Sequence, residues 1–181
     1  MKPIDNWMIY YESHQDEAAR QAVFRQVWDH YQQPLIYFIQ RFTGRHAEDI
    51  FQDIMLKVYE NLDRYRPWYA FSTWLYTIAR NHCLNWISRN RSSAASLASI
   101  TAGQTADPES LLIGKETARR IEQFLESQKP DHQQMAFLRF YEGMPLKQIA
   151  GILKIPLGSI KSRLHLMKKE IQTILENENA I

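Results

Sequence analysis

MPLKQIAGILKIPLGSIKSRLHLMKKEI, residues 144–171, carries the reading of the fold. Glu142-Gly143-Met144-Pro145 reads as a turn, and Pro145 suits the first position of a helix, where a missing N–H costs nothing. A helix predicted from about 145 to 153 stops at Lys154-Ile155-Pro156, and a longer one runs from about 158 to 176. Short helix, tight turn and longer helix make a helix-turn-helix. In the longer helix Ile160, Leu164, Met167 and Ile171 recur at 4-3-4 spacing and form a stripe to be buried. At about 100° per residue, Lys161, Ser162, His165, Lys168 and Lys169 turn to the far side, with Arg163 at the flank. Any amphipathic helix has a polar outer face. This one is cationic near both ends with hydroxyl and imidazole groups between, and such groups reach phosphates and base edges in a major groove. Ile149, Ala150 and Leu153 supply the small and apolar contacts that let the two helices cross closely.

Upstream, further helices are expected near 109–127 and 131–141. Before them SSAASLASITAGQTADPES, residues 92–110, is small, polar and without a period. It reads as a flexible linker dividing the chain into two domains. Ahead of the linker, Ala22, Phe24, Val27, Trp28, Tyr31, Leu35, Phe38, Ile39 and Phe42 fall near helical spacing, as two helices or one disturbed at Pro34. Thr43-Gly44 is a break. The next helix spans about Ala47 to Leu62, with Phe51, Ile54, Met55, Val58 and Leu62 on its apolar arc and Asp49, Asp53 and Glu60 opposite. The helix after it starts near Phe71 or Ser72 and ends near Asn90. Its apolar side holds Leu75, Ile78, His82 and Trp86, which makes His82 a packed histidine; Thr77, Arg80, Leu84 and Ser88 take the other side.

Between Asp63 and Asp107 the chain has no carboxylate. The gap holds Arg64, Arg66, Arg80, Arg89 and Arg91, together with Tyr65, Trp68, Tyr69, Phe71, Trp74, Tyr76 and Trp86. Cations relieve the repulsion felt by a phosphate backbone, and flat aromatics offer faces to unpaired bases. Large aromatics are usually core. But Pro67 breaks the helix, and a loop Arg-Pro-Trp-Tyr-Ala-Phe at 66–71 cannot bury all its adjacent rings. Just upstream the sign reverses. Asp49 and Asp53, one helical turn apart, repel by roughly 0.2–0.5 kcal/mol. Either Lys57 neutralises Asp53 and the face is merely solvated, or the face docks a basic protein.

The whole chain limits the options. At 181 residues with 45% hydrophobic content it forms one domain or two small ones. A net charge of +2 says little; its distribution says more. Cys83 is the only cysteine, so no internal disulfide forms, which fits a reducing cytosol. No signal peptide and no membrane-spanning run is read. His14, His30, His46, His82, His132 and His165 lack metal-ligand spacing, and Cys83 lies in an apolar-leaning helix. No catalytic residue, metal ligand or cofactor is assigned. The fold class is all-α: two small helical domains joined by a flexible linker.

Three stretches are similar to those of one family. His46 to Tyr59, HAEDIFQDIMLKVY, resembles region 2.2 of bacterial RNA polymerase sigma factors of the extracytoplasmic-function type (sigma-70 family, group 4). Phe71 to Asn81 resembles their regions 2.3 and 2.4, and Ile155 to His165 their region 4.2. The stretches occur in the family's order. The resemblance implies residues 20–91 as a region 2 domain, 92–111 as linker and 112–177 as a region 4 domain, after an extension at 1–19 with no counterpart. It implies an alternative sigma factor, without enzymatic activity, that binds core RNA polymerase, recognises −35 and −10 promoter elements and helps open the duplex. Asp49, Gln52, Asp53, Leu56 and Glu60 would then meet the polymerase. Arg66, Trp68, Tyr69, Ser72, Trp74, Thr77, Arg80 and Asn81 would handle the −10 element and melting. Ser159, Lys161, Ser162, Arg163, His165 and Lys168 would read the −35 element. The expected partners are core polymerase, promoter DNA and an anti-sigma factor; the location is cytoplasmic, without membrane insertion. Three positions depart from the family's habit: Gln148 for Glu, Lys154 for the Gly of the turn, and Leu166 for Arg. The main alternative is a DNA-binding regulator with sigma-like domains that does not initiate; a helical enzyme using Cys83 or a histidine is the third.

Overall fold

The computed structural model describes residues 5–90 and 112–178, and the chain divides into two compact units, Met1–Ser96 and Leu97–Ile181. The expected linker, 92–111, lies outside the described residues, as does Arg91. Among the described residues every regular element is helical, as the all-α reading requires.

The first unit is built around α2, Glu17–Thr43. Asp16 caps it by accepting the Ala19 N–H at 2.8 Å, an oxygen where the first turn has spare donors. Helix α2 passes through Pro34 unbroken, settling the two-helix alternative, and ends at Gly44, whose φ of 56° suits a residue without Cβ. Val23, Val27, Tyr31, Leu35, Phe38 and Ile39 are its buried stripe, so the core stripe runs through Val23 and not Ala22, which is exposed. Helix α3, Ala47–Glu60, and helix α4, Phe71–Arg89, pack against it. Phe38 is fully buried with its ring 5.0 Å from that of Tyr76, so truncating it to Ala would cost about 3–5 kcal/mol.

One expectation about α4 needs correction. Its buried face is Phe71, Leu75, Tyr76, Ala79, Arg80 and Cys83, while Ile78, His82 and Trp86 are only half-buried. Arg80 is therefore inward, at 8% exposure, and not on an open reading face. Apolar residues occupy most of the circumference of this helix, so spacing alone leaves its core direction undetermined. The first described residues, for which the resemblance offers no counterpart, take up regular structure. Asn6–Ser13 form a helix, α1, capped by Asp5 and seated on α2 through Ile9 and Ser13, both buried.

The second unit contains α5, Leu112–Glu126, α6, Pro130–Ala136, α7, Leu146–Leu153, and α8, Leu157–Glu178. The last turn after α6 widens to a π-type turn over Phe137–Tyr141, closed by Glu142 N–H donating to Phe137 O at 3.1 Å. Helices α7 and α8 form the expected helix-turn-helix, with Ile149, Ile152 and Leu153 packing on Ile160, Leu164 and Met167 in one buried cluster. Ile171 is half-buried at its end. Pro145 stands one place earlier than expected: its extended ψ of 142° makes it the N-cap, and Leu146 opens the helix.

Lys154 ends α7 in the left-handed region, at φ 52° and ψ 39°. For a residue with a Cβ this conformation costs about 1–2 kcal/mol, and glycine escapes that cost. Lys154→Gly is expected to stabilise the second unit by roughly 0.5–1 kcal/mol after the added freedom of the unfolded chain is subtracted. A thermal melt checks it: Gly should raise the transition by a few degrees, and Lys154→Ala should not.

Candidate protein and nucleic-acid interfaces

Helix α3 is divided cleanly. Ala47, Ile50, Phe51, Ile54, Met55 and Val58 are buried. On the opposite side Asp49, Gln52, Asp53, Leu56 and Glu60 are all exposed. At 3.6 residues per turn these five fall within an arc of about 100°. The arc borders a groove of about 1000 Å³ whose other wall is α2, with Phe24, Arg25 and Trp28 facing Gln52, Asp53, Leu56 and Tyr59. The half-buried rings have fixed partners: Phe24 lies 4.9 Å from Tyr59, and Trp28 lies 4.8 Å from the buried Phe51. Tyr59 donates its hydroxyl to Glu17, which holds that carboxyl below the usual carboxylate range. The face thus combines carboxylates at its edge with an apolar floor and an exposed Leu56.

His82 joins α3 to α4, which corrects its reading as a packed apolar histidine. Its Nδ1 lies 2.7 Å from Lys57 Nζ, and its Nε2 lies 3.7 Å from a carboxylate oxygen of Asp53. Lys57 has turned to His82, so its expected pairing with Asp53 runs through the imidazole. Burial, then the Lys57 cation, holds the His82 pKa below its ordinary 6.5; Asp53 opposes this. Neutral His82 accepts from Lys57 at Nδ1, and the remaining ring proton sits on Nε2, toward Asp53. A lowered histidine pKa means the unfolded chain binds the proton more readily. Stability is then complete above the ordinary 6.5 and lost as pH falls through it toward the lower folded value. His30, also lowered by burial, adds to the same slope. Acidification from about pH 7 to about pH 5.5 is expected to lower the melting temperature of the first unit, and His82→Gln to flatten part of that dependence. An NMR titration of the ring should place its midpoint below 6.5.

Between α3 and α4 lies the loop that carries Pro67. Trp68 and Tyr69 stand 74% and 69% exposed there, and Arg66 is exposed beside them. Tyr65 and Phe71, at the two ends, are 1% exposed. The Tyr65 hydroxyl donates to Tyr69 O at 2.7 Å, and burial first, with Asp5 behind it, pushes its pKa up to about 12. Arg66 donates from its guanidinium to the carbonyl oxygens of Asp63 and Tyr65, which fixes that group. Of the other residues expected here, Asn81 is exposed, and Ser72, Trp74 and Thr77 are half-buried. Trp74 leans on Tyr65 and Phe71 at 5.6 and 5.5 Å, so it is largely a wall of the core. Thr77 donates its hydroxyl to Thr73 O at 2.7 Å, which leaves its lone pairs to accept. Cys83 is buried and its thiol is pushed up to about 12, far from a reactive thiolate.

On α8 the expected residues Ser159, Lys161, Ser162, Arg163, His165 and Lys168 are all exposed. Ser162 donates to Gly158 O at 3.0 Å, so it too presents an acceptor. Leu166 is 52% exposed on the same face and offers a methyl-sized apolar contact where a cation was expected. Arg139 donates to Met144 O at 3.0 Å and braces the turn ahead of α7. Sequence reading passed over the α2 wall of the groove and all of α1; the only signal for α1 was Asp5 ahead of a short run containing Ile9. Among the described residues no three His, Cys, Asp or Glu side chains gather as a metal site, and no helix is long and apolar enough to cross a membrane.

Two family models match the chain: Sigma-70 region 2 over residues 27–93 and Sigma-70, region 4 over residues 130–171, together more than half its length. Two curated relatives extend the likeness. The ECF RNA polymerase sigma factor SigW of Bacillus subtilis (strain 168) is 29% identical over 87% of this chain and 91% of its own. The ECF RNA polymerase sigma-E factor of Escherichia coli (strain K12) is 26% identical over 86% of this chain and 87% of its own. In fold it is similar to RpoE solved in complex with the anti-sigma factor NepR from Bartonella quintana, with a TM-score of 0.65, 23% identity and coverage of 84% and 96%. It is also similar to CnrH solved in complex with the cytosolic domain of CnrY, with a TM-score of 0.60, 16% identity and coverage of 96% and 97%. The chain belongs to the sigma-70 family, in its extracytoplasmic-function branch. It is an alternative sigma factor, and its function lies in transcription initiation.

Proposed function

We propose that three surfaces divide this work among the residues described above. The exposed arc of α3 and its groove attach the chain to core RNA polymerase. The Pro67 loop, with α4 behind it, captures an unpaired base of the −10 element. Helix α8 enters the major groove of the −35 element, with Ser159, Lys161, Ser162, Arg163, His165 and Lys168 toward DNA. Arg80, being buried, supports α4 and does not read a base. The chain acts by binding, in the cytoplasm, with no reaction of its own. An anti-sigma factor, the kind of partner RpoE is solved with, would compete for the α3 face.

The observation that carries this reading is the pair Trp68 and Tyr69, held outward on a loop whose two ends are buried. Stacking a base on an aromatic is worth about 1–3 kcal/mol by alanine substitution, comparable to the few kcal/mol of taking a base from the duplex. Trp68→Ala with Tyr69→Ala is therefore expected to impair promoter opening in permanganate footprinting. A template already mismatched at −10 should regain part of the activity. The melting temperature of the free protein should hold, because both rings are solvated. Full opening of a duplex promoter by the folded double variant would remove the loop from the mechanism.

The α3 face has a separate test. Asp49→Ala with Asp53→Ala removes a carboxylate pair worth roughly 0.2–0.5 kcal/mol of repulsion in the free helix, so the fold is expected to survive. Recovery of core polymerase in a pull-down should fall. Recovery equal to the wild type at low and moderate salt would make the arc a solvated surface.

A further inference from the structure

The region 2 family match begins at residue 27 and leaves α1 outside it, yet α1 is built into the Pro67 loop. Asp5 accepts the Trp7 N–H at 2.8 Å, Ile9 is fully buried, and Asn6 Oδ1 accepts the N–H of Phe71 at 2.9 Å. That last bond ties the start of α1 to the first residue of α4, where no residue of α4's own N-terminus supplies a side-chain cap. Trp7 then meets Trp68 with ring centroids 5.6 Å apart and planes at 89°. Tyr11 lies 6.1 Å from Trp7, and the Arg66 guanidinium lies 6.0 Å from the ring of Tyr10.

Single exposed aromatics are ordinary on a protein surface. Here Trp7, Tyr11 and Trp68, at 44%, 60% and 74% exposure, meet from two segments far apart in sequence, and Tyr69, 69% exposed, follows Trp68 on the loop. Perpendicular indoles form a corner: a flat base laid on one ring meets the other with its edge. A cation, Arg66, stands beside them, and the carboxylate of Asp5, which caps α1, accepts the Trp7 N–H. Stacking faces beside a fixed guanidinium are the chemistry that holds single-stranded nucleic acid.

We propose that Trp7 is a second stacking platform, so that α1 and the Pro67 loop together hold two neighbouring unpaired nucleobases of the opened DNA strand. This rests on the capture-loop reading above. The loop alone would grip one base; the added wall selects for an opened stretch over a single flipped nucleotide.

The test uses holoenzyme assembled from core polymerase and the full chain, on a promoter located by run-off transcription of genomic fragments. The template carries a pre-opened −10 region with one base at a time replaced by an abasic site. For the wild type, two neighbouring positions should each weaken binding by about fivefold or more when abasic. Trp7→Ala should lose sensitivity at one of them and keep the other, Trp68→Ala should do the converse, and Trp7→Phe should restore the wild-type profile. A Trp7→Ala profile matching wild type, or a drop of equal size at every position, makes Trp7 a brace for the loop and overturns the inference. If Trp68→Ala also leaves every position unchanged, the capture-loop reading falls with it; if only Trp7→Ala does, that reading stands and the second platform alone is lost.

Discussion

The first unit depends on one contact between rings. Tyr65 and Phe71 meet edge to face, 5.1 Å apart at 86°, and both are buried. They bracket the Pro67 loop. With both ends driven into the core, the intervening residues must bow outward, and Trp68 and Tyr69 take the most exposed places. Tyr65 closes the loop a second time through its hydroxyl on Tyr69 O, a bond a neutral phenol can donate and a phenolate cannot. A phenol is already neutral at physiological pH, and burial pushes its pKa further up, to about 12. The reach of the loop is therefore a consequence of core packing, and its exposed rings sacrifice stability that burial would have supplied, about 1.5–3 kcal/mol for a large side chain.

Charge is divided along the same line. The α3 arc collects carboxylates around a partly apolar groove, and the loop and α4 beyond it carry arginines. His82 joins the two regimes, accepting from Lys57 on one nitrogen and facing Asp53 with the other. That arrangement withdraws Lys57 from the acidic arc without adding a positive charge of its own. The exposed part of α3 thus stays net negative beside a cationic neighbour. Two partners of opposite sign can then be served by adjacent surfaces without one masking the other.

In the second unit the demand is geometric. Helix α7 must stop short so that the chain can turn into α8, and the stop is made by a lysine in a left-handed conformation. Arg139 holds the turn in front of α7, and the widened turn after α6 leaves Phe140 and Tyr141 at the surface. Hydroxyl groups at Thr77 and Ser162 are bonded back to their own helices, in both units on the faces proposed to meet DNA. Their remaining lone pairs favour donors such as the amino groups of adenine and cytosine.

Much was legible in the chain itself. The 4-3-4 stripe of α8, the buried arc of α3 and the break at Gly44 are local patterns, and helical periodicity alone sets which side they bury. The carboxylate-free stretch contains the loop whose rings, Trp68 and Tyr69, stand exposed. Tertiary structure decided the rest, because each remaining feature depends on residues distant in sequence. Arg80 faces inward because α4 is apolar on most sides and only its neighbours choose the buried one. His82 is a polar link because Lys57 and Asp53 lie on a different helix. Trp68 is exposed because Tyr65 and Phe71 claimed the core, and α1 matters because Asn6 reaches Phe71 across 65 residues of chain. Periodicity tells each helix which side is apolar, and only packing tells it which neighbour that side will meet.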